Sequence, residues 1–292
     1  MDVSAGMSAQ YLRVLLQSDF DRFAKLSGDD NPIHCDPVFA ATSHFGATVA
    51  HGMLLYGCIC KGLAELIPGP GVVQLEQNLM FPNPTFVNDP ISVRLSVSGN
   101  AGGILGIATE VTKPGADGAP LITAGGTTRV APAGVPLPPV RAIAPQAAPG
   151  DAALYGLRPG MSAGSERAFS VSDLDEYGDL VGDRNPVFRD DGAARARGFK
   201  GRVVPGPLLA GMFSGLLGTR LPGRGTGWLK QALRYPAPAY PGERLSARVA
   251  ITRLRKDKEL VNLSTRVIAA DGRIVCDGDA LVLVRNLASK LE

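Results

Sequence analysis

The feature that most restricts how this chain can fold is an internal repeat with an offset of 154 residues. The segment Gly-Asp-Asp-Asn-Pro at residues 28–32 aligns with Gly-Asp-Arg-Asn-Pro at residues 182–186. Without a gap, nine of the 19 positions from 18 to 36 are identical to their counterparts. A chain of 292 residues can hold two domains of roughly 130–150 residues, each with its own hydrophobic core. The repeat therefore predicts two copies of one domain.

The copies are separated by a segment rich in proline and alanine. Residues 131–150 contain six prolines and no hydrophobic periodicity, a composition typical of an extended, semi-rigid connection. We therefore predict an N-terminal domain at 1–130, a linker at 131–157 and a C-terminal domain at 158–292. Such a linker is long enough for the two domains to lie side by side.

Each copy has the same predicted order of elements. A short helix, for which Ser18 and Ser172 are candidate N-caps, precedes the Gly-Asp-x-Asn-Pro loop. A helix that is apolar nearly all round follows from about residue 53 to 67, with its counterpart at 208–221. Strands are indicated by alternating patterns at 91–97 and 245–252, and by apolar segments near 105–112, 121–130, 261–268 and 274–284. The prediction is an α+β fold in which each domain wraps an antiparallel sheet around a buried central helix.

Composition excludes several classes of partner. The net charge of +3 is too small to indicate nucleic-acid binding. The apolar stretch at 53–67 is interrupted by Lys61 and Glu65 and is too short to span a bilayer. The four cysteines have no metal-ligand or disulfide spacing, so free thiols are expected. They are Cys35, Cys58, Cys60 and Cys276.

The two ends of the sequence suggest no targeting signal. The first ten residues lack a basic segment followed by an apolar run, so no signal peptide is expected. The chain ends Ser-Lys-Leu-Glu, and Glu292 removes the terminal Ser-Lys-Leu that a peroxisomal address requires. We therefore expect a cytoplasmic protein.

The most informative segment is Ser-Gly-Asp-Asp-Asn-Pro-Ile-His-Cys-Asp-Pro at residues 27–37, followed by Ala-His-Gly-Met at 50–53. It resembles the hydratase motif of the MaoC-like (R)-specific enoyl-CoA hydratases and dehydratases, a branch of the hot-dog fold. The family pattern is Gly-Asp-x-Asn-Pro-aliphatic-His-x-Asp-Pro, then a His-Gly pair at the start of the central helix. The resemblance extends over most of both copies and implies the tandem, double hot-dog form of the family.

The resemblance implies that Asp29 and His34 are the catalytic pair, with Asn31 as a supporting polar group and Gly52 as oxyanion donor. Hydration of an enoyl thioester needs a base to activate water at the β-carbon, and Asp29 and His34 could share one water molecule. Gly52 lies where the central helix begins, so its backbone N–H has no partner within the helix. The implied reaction is reversible hydration of a trans-2-enoyl thioester to the (R)-3-hydroxyacyl thioester.

The second copy retains the loop but not the imidazole. Asp183 and Asn185 are kept, whereas His34 is replaced by Phe188, which cannot transfer a proton. The pair His51-Gly52 becomes Pro-Gly in the second copy. Because an Asp-x-Asn-Pro loop can also be a purely structural Asx-turn, its retention is compatible with a structural role in both copies. The second copy is predicted to be non-catalytic.

Three other interpretations of the sequence make different predictions. All three histidines (His34, His44, His51) lie within 18 residues, but spacings of ten and seven do not match a helical metal site, so no metal is expected. A hot-dog thioesterase would need a carboxylate on the central helix, where Glu65 is the one acidic residue. A non-catalytic acyl-thioester-binding module would be expected to have lost motif residues that the first copy keeps.

The remaining expectations concern ligands and assembly. No cofactor is expected, and the substrate would be an acyl group carried by CoA or by an acyl-carrier protein. The fused copies would form a monomeric pseudo-dimer or a homodimer.

Overall fold

The computed structural model describes residues 3–143 and 153–287, and both halves contain the same series of elements. The first half contains β1 (Ser8–Val14), α1 (Gln17–Ser27), α2 (Pro32–Cys35), α3 (Pro37–Thr42), α4 (Gly52–Glu65), β2 (Val73–Met80), β3 (Pro90–Ala101), β4 (Ile104–Pro114) and β5 (Pro120–Ala131). The second half contains β6 (Ser162–Arg167), α5 (Val171–Val181), α6 (Pro186–Arg189), α7 (Asp191–Ala196), α8 (Gly206–Thr219), β7 (Gly227–Arg234), β8 (Leu245–Arg255), β9 (Leu260–Ala269) and β10 (Ile274–Leu283). The four helices of the second half begin and end 154 residues after those of the first.

The strands form one antiparallel sheet that passes through both halves. Its order is β1-β3-β4-β5-β2-β7-β10-β9-β8-β6, so β2 and β7 join the halves at the centre. Glu76 pairs with Arg234 and Met80 pairs with Lys230. At the middle of this pairing Asn78 lies opposite Ala232, its own counterpart in the repeat. The halves are therefore related by a local pseudo-twofold axis between these two residues.

The central helices α4 and α8 lie against the sheet and pack on one another. Both are almost entirely buried, as their nearly continuous apolar sequences predicted. Each central helix also packs against the first helix of the opposite half, α4 against α5 and α8 against α1. The loop after α1 is thereby brought against a helix of the second half. The predicted α+β fold with a buried central helix in each half is confirmed.

The predicted N-caps are wrong by two residues in each half. Helix α1 follows Leu16 and helix α5 follows Ser170, so Ser18 and Ser172 lie inside the first turn. An aspartate side chain selects the earlier start, because it accepts a hydrogen bond from the backbone N–H of the capping residue. Asp19 accepts from Leu16 at 2.9 Å, and Asp173 accepts from Ser170 at 2.7 Å.

The predicted linker is partly visible and is packed on the second half. The N–H of Ile143 donates to the carboxylate of Asp277 at 2.5 Å, and Arg197 donates to the carbonyl of Val135 at 2.9 Å. Residues 144–152 of the linker lie outside the described residues, and the domain boundaries stay a prediction. Within the described ranges, every helix is too short or too polar to cross a lipid bilayer.

Candidate functional site

The Gly-Asp-x-Asn-Pro loop gets its shape from the residues at its two ends. Helix α1 ends at Ser27, and the capping residue Gly28 has a left-handed φ of 77°, which suits glycine. The side chain of Asn31 caps α2 by accepting from the N–H of Ile33 at 3.4 Å, and Pro32 occupies the first helical position. Asn31 therefore has the structural role of an Asx cap, and Asp29 is held between two fixed ends.

The loop and α2 bring Asp29 and His34 together. Both are buried, with 1% of Asp29 and 8% of His34 exposed. His34 Nε2 lies 3.8 Å from Asp29 Oδ2, too far for a direct hydrogen bond. His34 Nδ1 lies 2.7 Å from the carbonyl oxygen of Val49, which can only accept, so Nδ1 carries the proton. In the neutral form of the ring the lone pair is therefore on Nε2, the atom that faces the carboxylate.

The second half holds the two buried polar residues of the loop, Asp29 and Asn31. Ser214, on α8, donates a hydrogen bond from its hydroxyl to Asp29 Oδ2. Asn31 donates from Nδ2 to the carbonyl oxygen of Gly218, also on α8, at 3.2 Å. The candidate site of the first half is thus completed by the central helix of the second.

Two glycines of α8 allow this close approach. A Cβ atom at position 215 would lie 3.1 Å from the carbonyl oxygen of Gly28, and one at position 218 would lie 2.8 Å from Asn31 Nδ2. Any side chain at these positions would push the loop away from α8. Gly215 and Gly218 therefore set the distance between the loop and the helix that supports it.

His51 supports the site from behind. Its Nε2 donates to the carbonyl oxygen of Asp29 at 3.0 Å, and its ring stacks on His34 with centroids 3.8 Å apart. Burial, helped by the nearby His34, lowers the pKa of His51 to about 3, so the ring stays neutral near pH 7. His51 is the N-cap residue of α4, but its side chain makes no capping hydrogen bond.

A cavity of about 260 Å³ lies in front of the Asp29–His34 pair. Gly52, the first residue of α4, forms part of its wall, and Leu217, Trp228 and Leu283 of the second half form another part. The remaining lining is mostly aromatic and apolar, including Phe81, whose ring centroid lies 5.9 Å from that of Trp228. The four predicted site residues, Asp29, Asn31, His34 and Gly52, all line this cavity. A ligand that enters it would contact both halves.

Asp29, His34 and His51 form the one candidate metal cluster among the described residues. Ligand atoms of Asp29, His34 and His51 all lie within 4.8 Å of one another. His44 lines the cavity but is outside this cluster. The spacing of these residues in the sequence does not predict the grouping, because they meet through the fold of the loop rather than along one helix.

Ser214 is expected to contribute strongly, through its hydrogen bond to Asp29, to the enoyl-thioester hydration that the sequence motif implies. A hydrogen bond to a charged group contributes about 1.5–3 kcal/mol, so Ser214→Ala should lower kcat/KM roughly 10- to 100-fold. Thr219→Val is the matched control, since it removes a hydroxyl of the same helix that donates to the carbonyl of Gly215. Both variants would be assayed by steady-state kinetics. Equal activities would contradict a role for the Ser214 hydroxyl.

A glycine pattern in the sequence indicates the close approach of α8 to another segment. Gly211, Gly215 and Gly218 recur at spacings of four and three, which places them on one face of a helix. Such a face without side chains indicates close approach by another backbone. The partner itself is 185 residues away from Ser214 in sequence, so its identity required the structure.

The second half presents the corresponding loop without the corresponding chemistry. Asn185 caps α6 as Asn31 caps α2, and Asp183 is 3% exposed. Phe188 is buried at the position of His34, and Cys60 of α4 is the counterpart of Ser214. Helix α8 has Pro207 where α4 has Met53, so one backbone N–H at its start is missing. The second loop keeps the architecture of the first, but it has no imidazole at position 188, and the neighbouring helix start lacks the N–H of residue 207.

Comparison with known families gives a match in each half. The model of the MaoC like domain matches residues 4–117 and again residues 158–272. Among solved structures, a MaoC-like dehydratase aligns over 96% of this chain and 98% of its own, with a TM-score of 0.74 and 17% identity. A conserved hypothetical protein from Mycobacterium tuberculosis, described as having a double hot-dog fold, aligns over 96% and 97%, with a TM-score of 0.70 and 17% identity. These two likenesses establish the fold.

Curated relatives are similar to part of the chain. The (R)-specific enoyl-CoA hydratase of Aeromonas caviae is 36% identical over 126 residues, which are 43% of this chain and 94% of that protein. The enzyme of the same name from Rhodospirillum rubrum is 36% identical over 128 residues, 44% of this chain and 88% of that protein. A mitochondrial 3-hydroxyacyl-[acyl-carrier-protein] dehydratase of Solanum lycopersicum is 33% identical over 123 residues, 41% and 73% respectively.

Proposed function

Because the chain belongs to the MaoC-like domain family, in two copies, we propose that it reversibly hydrates a trans-2-enoyl thioester to the (R)-3-hydroxyacyl thioester. The family comprises hydratases and dehydratases, and relatives at 36% identity are (R)-specific enoyl-CoA hydratases. The relatives named above act on thioesters of CoA or of acyl-carrier protein, so the proposed substrate is an enoyl group on one of these carriers.

The observation that carries this proposal is the gap between Asp29 Oδ2 and His34 Nε2. At 3.8 Å the two acceptors can share one water molecule, since each would lie within hydrogen-bond distance of its oxygen. Neither atom has a proton to offer the other while the carboxylate is ionised and the ring is neutral. A water between them would therefore donate both of its hydrogens, leaving its lone pairs for the substrate.

The proposed reaction uses this water as nucleophile. His34 Nε2 accepts one proton as the water oxygen bonds to the β-carbon, and Asp29 holds the second hydrogen. The electron pair of the double bond moves through the α-carbon to the thioester oxygen. The imidazolium then returns its proton to the α-carbon, so one water is added and the ring is neutral again. Dehydration follows the same steps in reverse.

The developing negative charge falls on the thioester oxygen. In our proposal this oxygen lies at the start of α4, where the N–H of Gly52 is free to donate and the helix dipole is positive. Such a donor typically contributes a few kcal/mol to transition-state stabilisation. Gly52 therefore acts as the oxyanion donor.

The contacts of Glu65 argue against a thioesterase that uses this residue. Its Oε1 accepts from the backbone N–H of Arg184 at 3.0 Å, at the interface of the halves. Glu65 is also absent from the lining of the cavity that holds Asp29 and His34. The non-catalytic alternative is disfavoured because three groups surround one cavity: a buried carboxylate, an imidazole whose Nε2 faces that carboxylate, and the N-terminus of a helix.

The direct test is a hydration assay with the intact protein. We expect loss of enoyl-thioester absorbance with crotonyl-CoA or a longer 2-enoyl-CoA. The product should be oxidised by an (R)-specific but not by an (S)-specific 3-hydroxyacyl-CoA dehydrogenase. If the double bonds of enoyl-CoAs of four to twelve carbons persist while their thioester bonds are hydrolysed, the thioesterase alternative would replace this proposal.

A further inference from the structure

A second cavity, of about 200 Å³, lies in the second half of the chain. We call it the second cavity. It includes Asp183 and Phe188, the counterparts of Asp29 and His34, and is therefore the repeat-related equivalent of the candidate active site. Leu63 and Val72 of the first half form part of its wall. Each half thus completes a cavity in the other.

The linker closes one side of the second cavity. Leu137, Pro138 and Val140 line it, and the flanking residues are fixed by hydrogen bonds to the second half at Val135 and Ile143. The linker therefore forms one part of the wall of the second cavity. The described residues that line the candidate active site include no linker residue.

The polar groups of the second cavity suit a neutral ligand. Asp183 Oδ1 accepts from the N–H of Asn185 at 2.9 Å, and burial raises the pKa of Asp183 to about 7. Below neutral pH it is therefore an uncharged carboxylic acid with a proton to donate. Tyr177 Oη is fully buried, and the hydrogen-bonding group beside it is the thiol of Cys60, a weak acceptor. No lysine, arginine or histidine is among the described residues that line the cavity.

These features specify the chemistry of an occupant. A concave, largely apolar site with a few convergent polar groups is typical of small-molecule binding sites. A hydroxyl and a carboxylic acid can both donate to a carbonyl oxygen. A carboxylate or phosphate would be buried without a cation, which is costly. Because Phe188 replaces the base and Pro207 removes a backbone donor, a bound molecule would not be hydrated.

We propose that the second cavity is a non-catalytic binding site for an uncharged aliphatic molecule that carries one carbonyl oxygen. The aliphatic part packs against Phe188, Leu209 and the linker residues, and the carbonyl oxygen accepts from Asp183 or Tyr177. Two sources have this chemistry: the acyl group of a thioester and a free aliphatic ketone or ester.

The repeat provides a matched pair of blocking variants. Ala50 lines the candidate active site and Val204, its counterpart, lines the second cavity. The N–H of Ala50 donates to the carbonyl oxygen of Thr85 at 2.8 Å, and the N–H of Val204 donates to that of Ala239 at 2.8 Å. Thr85 and Ala239 are also counterparts in the repeat. Val204→Phe should fill the second cavity, and Ala50→Phe should fill the other to a comparable extent.

The test is isothermal titration calorimetry of the full chain at pH 6 with 2-heptanone. We expect saturable binding to the wild type, at least tenfold weaker binding to Val204→Phe, and wild-type binding to Ala50→Phe. Asp183→Leu should weaken binding about tenfold by removing the donor, whereas Asp183→Asn, which keeps one, should bind normally. The two Asp183 variants keep the test decisive if Val204→Phe fails to fold.

A parallel titration with hexanoyl-CoA separates the two sources. This saturated thioester has no double bond to hydrate, so binding is measured without turnover and independently of the crotonyl-CoA assay. If Val204→Phe weakens binding of hexanoyl-CoA as well, the occupant is an acyl group of a thioester. If it weakens only 2-heptanone, the occupant is a free carbonyl compound. Absence of 2-heptanone binding, or its loss in Ala50→Phe but not in Val204→Phe, would overturn the proposal.

Discussion

Replacing Asp29 with asparagine, or His34 with alanine, is expected to lower kcat for crotonyl-CoA hydration by roughly 10²–10⁴-fold. Either change removes one of the two acceptors that hold the water, and His34→Ala also removes the group that accepts its proton. Asparagine at position 29 would also weaken the hydrogen bond from Ser214. Its amide would turn either an N–H₂ group or an uncharged oxygen, a weaker acceptor than a carboxylate, toward the Ser214 hydroxyl. KM should change less than kcat, because neither side chain is required to hold the acyl group.

The matched control is Asp30→Asn. Asp30 is the next residue in the same loop but is exposed, so the change removes a neighbouring carboxylate without touching the cavity. We expect activity close to that of the wild type. Near-UV circular dichroism would establish that the variants are folded. Activity within a few-fold of wild type in His34→Ala would remove the imidazole from the mechanism.

Replacing Asp183 with asparagine is expected to stabilise the protein at alkaline pH. Burial raises the pKa of Asp183 from 3.8 to about 7, opposed by its hydrogen bond from Asn185 and by Arg189 and Lys61, and reinforced by Glu65. The folded protein therefore binds more protons than the unfolded chain between these pH values. Its stability falls as pH rises from about 4 to about 7, and the loss is complete above pH 7.

Asparagine removes this penalty, because it stays neutral and can still accept from the N–H of Asn185. At 1.36 kcal/mol per pH unit, the difference in unfolding free energy above pH 7 should approach about 4 kcal/mol, with almost none at pH 4. Urea denaturation from pH 4 to pH 9 would measure it. The control Asp257→Asn removes an exposed carboxylate and should give no such pH-dependent gain. A constant difference across the pH range would show that Asp183 ionises freely in the folded protein.

Patterns within short segments predicted most of the fold. The central helices α4 and α8 are apolar on all sides and lie buried on the sheet, and the alternating segments at 91–97 and 245–252 are the strands β3 and β8. Strands β1, β2, β6 and β7 were not predicted. Strands β2 and β7 carry the buried polar residues Gln77 and Gln231 on their apolar faces, which interrupts the alternating pattern. Strands β1 and β6 were missed for a different reason. They are the outer strands of the sheet, and their residues alternate between exposed and partly buried, so their hydrophobic contrast is weak.

The part of the candidate site that lies in short sequence patterns was also predicted. Asp29, Asn31, His34 and Gly52 lie in two short segments with a recognisable pattern, and the structure brings all four to one cavity. Ser214 and Trp228 were missed because they reach this cavity from the second half. Contacts between residues so distant in sequence depend on how the halves pack, which local propensity does not determine.

The hydrogen bond from Ser214 to Asp29 has a consequence for how this chain can evolve. The repeat contains two equivalent helices, but position 214 of α8 carries a hydroxyl that donates to Asp29, whereas its counterpart on α4 is Cys60. If the proposed reaction is under selection, the second half is therefore constrained at Ser214 although it has no base of its own. Separately expressed halves would regain a complete centre only by complementation in trans, with the degenerate partner supplying the missing alcohol.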